Sequence, residues 1–134
     1  MRCSLLVSFA ALFVAQPVWS KATRPAPASR LYVSGDLASR NDNLARLAAG
    51  ADLLVYDTAV VDPPGSPKKL YDLHTPPRRI GEVAGAAGVK SLLLSHLVPP
   101  VEKARAEVTK SVRASFKGRM GFAEDCLRVD LMKP

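Results

Sequence analysis

Two unbroken apolar runs, Leu53-Leu54-Val55-Tyr56 and Leu92-Leu93-Leu94, constrain this chain more than any other feature. A strand with one face in water alternates apolar and polar residues, so a run without alternation reads as a strand covered on both faces. Each run follows a stretch of helical spacing that stops at a glycine. Leu44, Leu47 and Ala48 precede Gly50, while Ile80, Val83, Ala84 and Ala87 recur at i, i+3, i+4 and i+7 before Gly88. Thr75 is placed to cap the second helix and Pro76 to take its first position. Buried strands alternating with amphipathic helices specify an α/β layered fold.

The other segments complete the order. Residues 31–34 form a short β-rich run ending at Gly35 and Asp36, residues 41–49 a helix, and residues 52–57 the first buried strand. Residues 61–73 hold Pro63, Pro64, Gly65 and Pro67 and are expected to be a loop. Residues 89–95 form a strand that delivers His96 at its C-terminal end. Pro99 and Pro100 then open a long helix with Val101, Ala104, Val108, Val112 and Phe116 on its inner face, closed by Gly118. Residues 121–131 show partial alternation through Cys126, Leu127, Val129 and Leu131 and are expected as the last strand. The expected order is β-α-β-loop-α-β-α-β, with no internal repeat.

The chain begins differently. Met1 and Arg2 make a basic start, residues 3–15 are apolar or small, and residues 16–22 are more polar. Residues 1–22 therefore read as a secretory signal peptide, which implies export to the periplasm or beyond; an uncleaved anchor or a buried helix is the alternative. The apolar segment is short for a ~30 Å bilayer, so no membrane span is expected after cleavage. Residues 23–30, with Pro25 and Pro27, read as a linker, and residues 31–134 as the domain. Cleavage would leave Cys126 as the one cysteine of the original two, so no internal disulfide is expected to staple the fold.

At 134 residues, 48% of them hydrophobic, the chain is one small domain at most. Its formal charge of +7 is spread over several segments. Those cations read as solvated helix faces, or alternatively as attraction for an anionic substrate or membrane surface. Aromatics make up 6% and are not interleaved with the basic residues, so no nucleic-acid partner is expected.

Four polar residues fall where strands or helices begin or end: Asp36, Asp57, His74 and His96. They include both histidines of the chain. Each histidine can be a satisfied turn residue, but carboxylates and imidazoles together also suit zinc or a similar divalent ion.

The segments Val33-Ser34-Gly35-Asp36, Gly50-Ala51-Asp52-Leu53-Leu54-Val55, His74-Thr75, Ala86-Ala87-Gly88-Val89-Lys90 and Leu92-Leu93-Leu94-Ser95-His96-Leu97 carry a resemblance. In order and spacing they resemble the C-terminal half of the αββα metallo-β-lactamase fold of metal-dependent hydrolases, nearest to its ribonuclease Z-like branch. The resemblance implies zinc, with Asp36 bridging two ions and His96 ligating one. It also implies that His74 assists proton transfer and that Asp57 orients it. Val55-Tyr56-Asp57-Thr58 stands where that branch has His-Glu-Ala-Thr, a departure that counts against ribonuclease activity. The family's His-x-His-x-Asp-His motif does not occur upstream of Asp36, so the ligand set is incomplete.

Three readings follow. The chain is an exported relative of metal-dependent hydrolases, taking a small-molecule or ester substrate if active but incomplete as a catalyst. Alternatively it is a non-catalytic binding module that covers an open sheet face by dimerising or by pairing with a chain supplying the other half. The third reading makes it a truncated remnant.

Overall fold

The computed structural model describes residues 30–131; the expected leader and all but the last residue of the expected linker lie outside the described residues. The elements run β1 (Leu31–Val33), α1 (Asn43–Leu47), β2 (Leu53–Asp57), a 3-10 turn (Lys68–Asp72), α2 (Pro77–Ala87), β3 (Ser91–Ser95), α3 (Pro99–Lys103), α4 (Arg105–Ser115) and β4 (Arg119–Phe122). The strands form one sheet in the order β1-β2-β3-β4. Every pairing is parallel, with Leu31 opposite Leu53, Leu54 opposite Leu92, and Leu94 opposite Phe122.

This topology decides where the core lies. When right-handed crossovers join parallel strands that advance in one direction, the connecting helices all land on the same face. Leu54, Tyr56, Leu92 and Leu94 share that face and are buried beneath Ile80, Val83 and Ala84 of α2 and Val108 and Val112 of α4. The opposite face carries Leu31 and Val33, 51% and 66% exposed, with Val55 and Leu93 half-buried. The expectation of cover on both faces holds along β2, where only Val55 is half-buried, and is corrected for β3, which alternates buried and half-buried positions. What the apolar runs record is a second surface that the described residues leave partly open.

The last strand is also corrected. It spans Arg119–Phe122, where Gly121 and the charged Arg119 mask the strand pattern. Val129 and Leu131 instead line a shallow cleft with Leu53, Leu93 and Gly121, so their spacing reflects contact with the open face and not membership of the sheet. The long helix is two helices, since Ala104 leaves helical geometry and its N–H bonds back to Val101 in a tight i→i−3 turn. Helix α1 is shorter than expected and leaves Leu47 65% exposed. Ala45 and Ala48 face the core in its place, because small side chains let α1 approach α2 closely. The expected loop at residues 61–73 contains the 3-10 turn.

Helix α2 starts one residue later than the sequence suggests. Pro77 takes the first position, Pro76 is the N-cap, and no side chain caps the end, which frees the Thr75 hydroxyl for other partners. Its C-terminus is as read: Gly88 caps it in the left-handed region at φ 61°. At the N-terminal edge of the sheet the Asp52 carboxylate accepts from Lys90 Nζ at 2.6 Å and from the Arg30 amide at 2.8 Å. Those bonds, Lys90's first, hold the Asp52 carboxyl below the usual carboxylate range. No helix among the described residues is long and apolar enough to cross a membrane.

Candidate metal centre

Parallel strands all end at the same edge, and loops leaving that edge can converge. Asp36 lies in the loop after β1, Asp57 is the last residue of β2, and His96 follows β3. Helix α2 must start at this edge to descend to the beginning of β3, which places His74, just ahead of it, beside the strand ends. All four residues singled out from sequence therefore meet, with one ligand atom from each lying within 4.8 Å of the others.

Asp57 is the centre of the group. Its side chain is 2% exposed, and its two carboxylate oxygens have different partners. Oδ2 accepts from His74 Nδ1 at 2.6 Å and Oδ1 from His96 Nδ1 at 2.8 Å. A carboxylate only accepts, so both rings direct Nδ1–H at Asp57 and keep Nε2 as the atom with a lone pair. The rings stand edge to face, 5.3 Å between centroids. The Asp57 amide donates to Ser34 Oγ at 3.0 Å, tying the end of β2 to the loop that carries Asp36.

The outer pair is accessible. The Asp36 side chain is 70% exposed and its Oδ1 lies 3.3 Å from His96 Nδ1, while the His96 side chain is 46% exposed. His96 adopts φ 55°, a left-handed conformation unusual for a residue with a side chain. That turn breaks β3 and swings the ring back over Asp57, an instance of local strain held where polar groups converge.

The donor types suit a divalent ion, and because both Asp57 oxygens are engaged by the histidines, Asp36 and His96 are the accessible pair. Two carboxylates and two imidazoles supply the nitrogen and oxygen ligands that zinc accepts. Ligand atoms around a tetrahedral zinc stand roughly 3.4 Å apart, so donors within 4.8 Å need only a modest inward movement, available to exposed Asp36 and His96. A second ion would find too few donors among the described residues.

Beside His96 opens a cleft of about 510 Å³ lined also by Leu97, Glu102, Arg105, Glu124 and Asp125. Arg105 lies over the Phe122 ring and forks onto Glu102 with bonds of 2.7 and 2.9 Å. The Glu102 carboxyl is thereby held below its usual range. With three carboxylates to one guanidinium, the cleft does not share the basic surplus of the chain.

The sequence offered no reason to single out Ser34, Ser39 or Tyr56, and it offered Thr75 only as a helix cap, yet their hydroxyls hold the segments that bear the site. A signal was present in that Tyr56 and Thr75 directly adjoin Asp57 and His74.

No family model matches the chain. It is 33% identical over 96 residues to ribonuclease Z of Mycobacterium bovis (strain BCG / Pasteur 1173P2), a match covering 67% of this chain and 34% of that protein. It is 37% identical over 108 residues to an uncharacterized protein of Mycobacterium tuberculosis (strain ATCC 25618 / H37Rv), covering 78% of this chain and 37% of that one. Among solved structures, the metallo-β-lactamase fold protein YhfI from Bacillus subtilis superposes with a TM-score of 0.55 at 21% identity, over 70% of this chain and 36% of that one. The chain spans about a third of the length of these relatives.

Proposed function

We propose, because this chain carries the ribonuclease Z-like, C-terminal portion of a metallo-β-lactamase fold, that it supplies one half of a metal-dependent hydrolase site. Asp36 and His96 hold zinc from the solvent side. Asp57 fixes the His96 ring from the buried side, as outer partners of ligating imidazoles do. His74, backed by Asp57, gives or takes a proton at Nε2. Zinc bound there would lower the pKa of a water molecule and stabilise charge developing on a substrate oxygen. The meeting of four polar side chains from four separate segments, with both histidines bonded to buried Asp57, carries this reading.

A catalytic zinc takes three protein ligands and keeps one position open. Asp36 and His96 are two, and enlisting Asp57 as a third would break its bonds to the histidines. The chain is thus incomplete as an independent catalyst and needs donors from elsewhere. The cleft beside His96 has the volume of a small-molecule site, which favours a small uncharged ester. The ribonuclease Z relatives make RNA the competing substrate, against which the Val55-Tyr56-Asp57-Thr58 segment and the carboxylate lining both weigh.

Calorimetric titration of the purified chain with zinc is expected to give about one ion per chain, with a dissociation constant above about 1 μM, equivalent to less than roughly 8 kcal/mol. No hydrolysis of bis(p-nitrophenyl) phosphate or of RNA is expected. Two tightly bound ions with turnover would overturn incompleteness, and no zinc binding at all would overturn the site.

The leader belongs to the same proposal: the basic start and the apolar run support export. N-terminal sequencing of the secreted protein should begin at Lys21 or Thr23, and an intact Met1 would refute cleavage.

The open sheet face favours a second reading, in which two copies stack through Leu31, Val33, Val55 and Leu93. Arg30, Lys90 and Arg119 lie at one edge of the sheet with Asp52, whereas Asp36, Glu124 and Asp125 lie at the other. Antiparallel stacking of two sheets sets the basic edge of one over the acidic edge of its partner. Light scattering should then report a dimer that Val33→Lys dissociates; a monomer at tens of micromolar would exclude this reading.

A further inference from the structure

Three hydroxyls buried behind the metal centre form a single chain of hydrogen bonds. Ser39 Oγ bonds to Tyr56 OH, Tyr56 OH donates to Thr75 Oγ1 at 3.4 Å, and the Thr75 hydroxyl donates to the Leu37 carbonyl. The Ser39 amide closes the circuit by donating to Thr75 Oγ1 at 2.9 Å. Each hydroxyl has one proton to give, so the directions are consistent if Ser39 donates to Tyr56. Tyr56 and Thr75 are fully buried and Ser39 nearly so, with none of the three facing the cleft beside His96.

The positions of these hydroxyls in the chain give the circuit its meaning. Ser39 lies three residues after Asp36, Tyr56 one before Asp57, and Thr75 one after His74. Residues 34–42 have no regular secondary structure, and the Asp36 side chain is 70% exposed, so burial does not fix its carboxylate. The anchorage of its loop must do so. From the other side Arg79 of α2 donates to the Ser39 carbonyl at 3.2 Å and to the Asn41 carbonyl at 3.3 Å.

We infer that Tyr56 is a positioning residue whose buried phenol, through Ser39 and Thr75, locks the segments bearing Asp36, Asp57 and His74 into the spacing that an ion requires. The inference rests on the reading of Asp36 and His96 as ligands. Removing the phenol oxygen orphans the Ser39 hydroxyl proton and unties β2 from both the Asp36 loop and Thr75, whose direct bonds to each other remain, while every first-line donor stays in place. Burial keeps the Tyr56 phenol above its ordinary range, consistent with a neutral group that bonds and does not ionise.

The test measures zinc affinity and melting temperature in Tyr56→Phe, Thr75→Val, Thr75→Ser and the core control Val83→Ala. Tyr56→Phe and Thr75→Val are expected to weaken zinc binding about 10-fold or more, in line with the loss of outer-sphere support at metal sites. Thr75→Ser should restore it, and Val83→Ala should lower the melting temperature without changing zinc affinity. Unchanged affinity in Tyr56→Phe, or an equal loss in Val83→Ala, overturns the inference. Should the parent chain bind no zinc, the ligand reading falls on its own. The imidazole proton resonances of His74 and His96 then decide for Tyr56: they should shift in Tyr56→Phe and stay in place in Val83→Ala, and the reverse pattern refutes the role.

Discussion

Replacing Asp57 by alanine is expected to lower the melting temperature by about 10–20 °C and to abolish zinc binding. The substitution removes the shared acceptor of two imidazole N–H groups, one of them on the buried His74. A buried donor left without a partner costs about 1–3 kcal/mol. The second ring is half exposed and can turn to water, so the total is about 2–3 kcal/mol, which for a domain of this size is the stated shift in melting temperature. Zinc binding falls because the His96 ring loses the partner that orients it. Asp57→Asn separates the two effects: it keeps the volume and one acceptor oxygen, so most of the stability returns. Its amide nitrogen opposes one Nδ1–H, however, and affinity for zinc should drop about 10–100-fold. Thermal melts and zinc titrations on both variants check this. An Asp57→Ala protein that melts with the parent and still binds zinc would show that Asp57 does not hold the group together.

A comparably large loss is expected at Gly81, far from any polar chemistry. Helix propensity alone says that Gly81→Ala should stabilise α2 by about 1 kcal/mol. The packing says the opposite. A Cβ on Gly81 would stand 2.9 Å from the Val112 Cα and 3.0 Å from its carbonyl carbon, with the carbonyl oxygen closer still. All three are backbone atoms and cannot rotate away, so α2 and α4 must separate. Overpacking of this kind costs about 1–3 kcal/mol and occasionally more, and the loss of contact along the helix pair adds to it. A net destabilisation of about 2 kcal/mol, or a melting temperature lower by roughly 8–16 °C, is expected. Gly85, one turn on, is in the same position, its added Cβ falling 2.6 Å from the Ser115 carbonyl oxygen. The exposed Ala86 beside it has no such neighbour, and Ala86→Gly should cost only the propensity difference. A Gly81→Ala variant more stable than its parent would show that the two helices do not approach this closely in solution.

These residues also show what can be read from a sequence of this kind. Ile80, Val83, Ala84 and Ala87 announced α2 because helical periodicity is local, and Gly88 announced its end because only a left-handed cap explains a glycine there. Asp36, Asp57, His74 and His96 could be gathered before any coordinates because strand ends in a layered α/β fold share an edge. Gly81 gave no comparable signal: its reason lies in Val112, distant in sequence. The same holds for Tyr56, whose apolar neighbours Leu54 and Val55 made it look like one more core residue, while its hydroxyl was meeting Ser39 and Thr75. Val129 and Leu131 misled for a related reason. Alternation reports that one side of a segment meets an apolar surface, and it does not tell a paired strand from a strap lying across a sheet.

The all-parallel sheet has a consequence for how the chain reaches this structure. No strand can pair through a hairpin. Joining the N-terminal edge of β1 to that of β2 spans 22 residues, β2 to β3 spans 38, and β3 to β4 spans 28. The entropy of closing such loops grows with the logarithm of their length, so the longest costs only about 0.5 kcal/mol more than the shortest. Closure therefore barely ranks the three pairings, and burial ranks them instead. The unit β2-α2-β3 holds Leu54, Tyr56, Ile80, Val83, Leu92 and Leu94, all essentially fully buried, whereas β1 is a three-residue edge strand. That unit is the natural nucleus, and it already contains Asp57, His74 and His96. The edge strand β1 and the Asp36 loop after it lie outside that unit, so the four-residue cluster is complete only once β1 has docked.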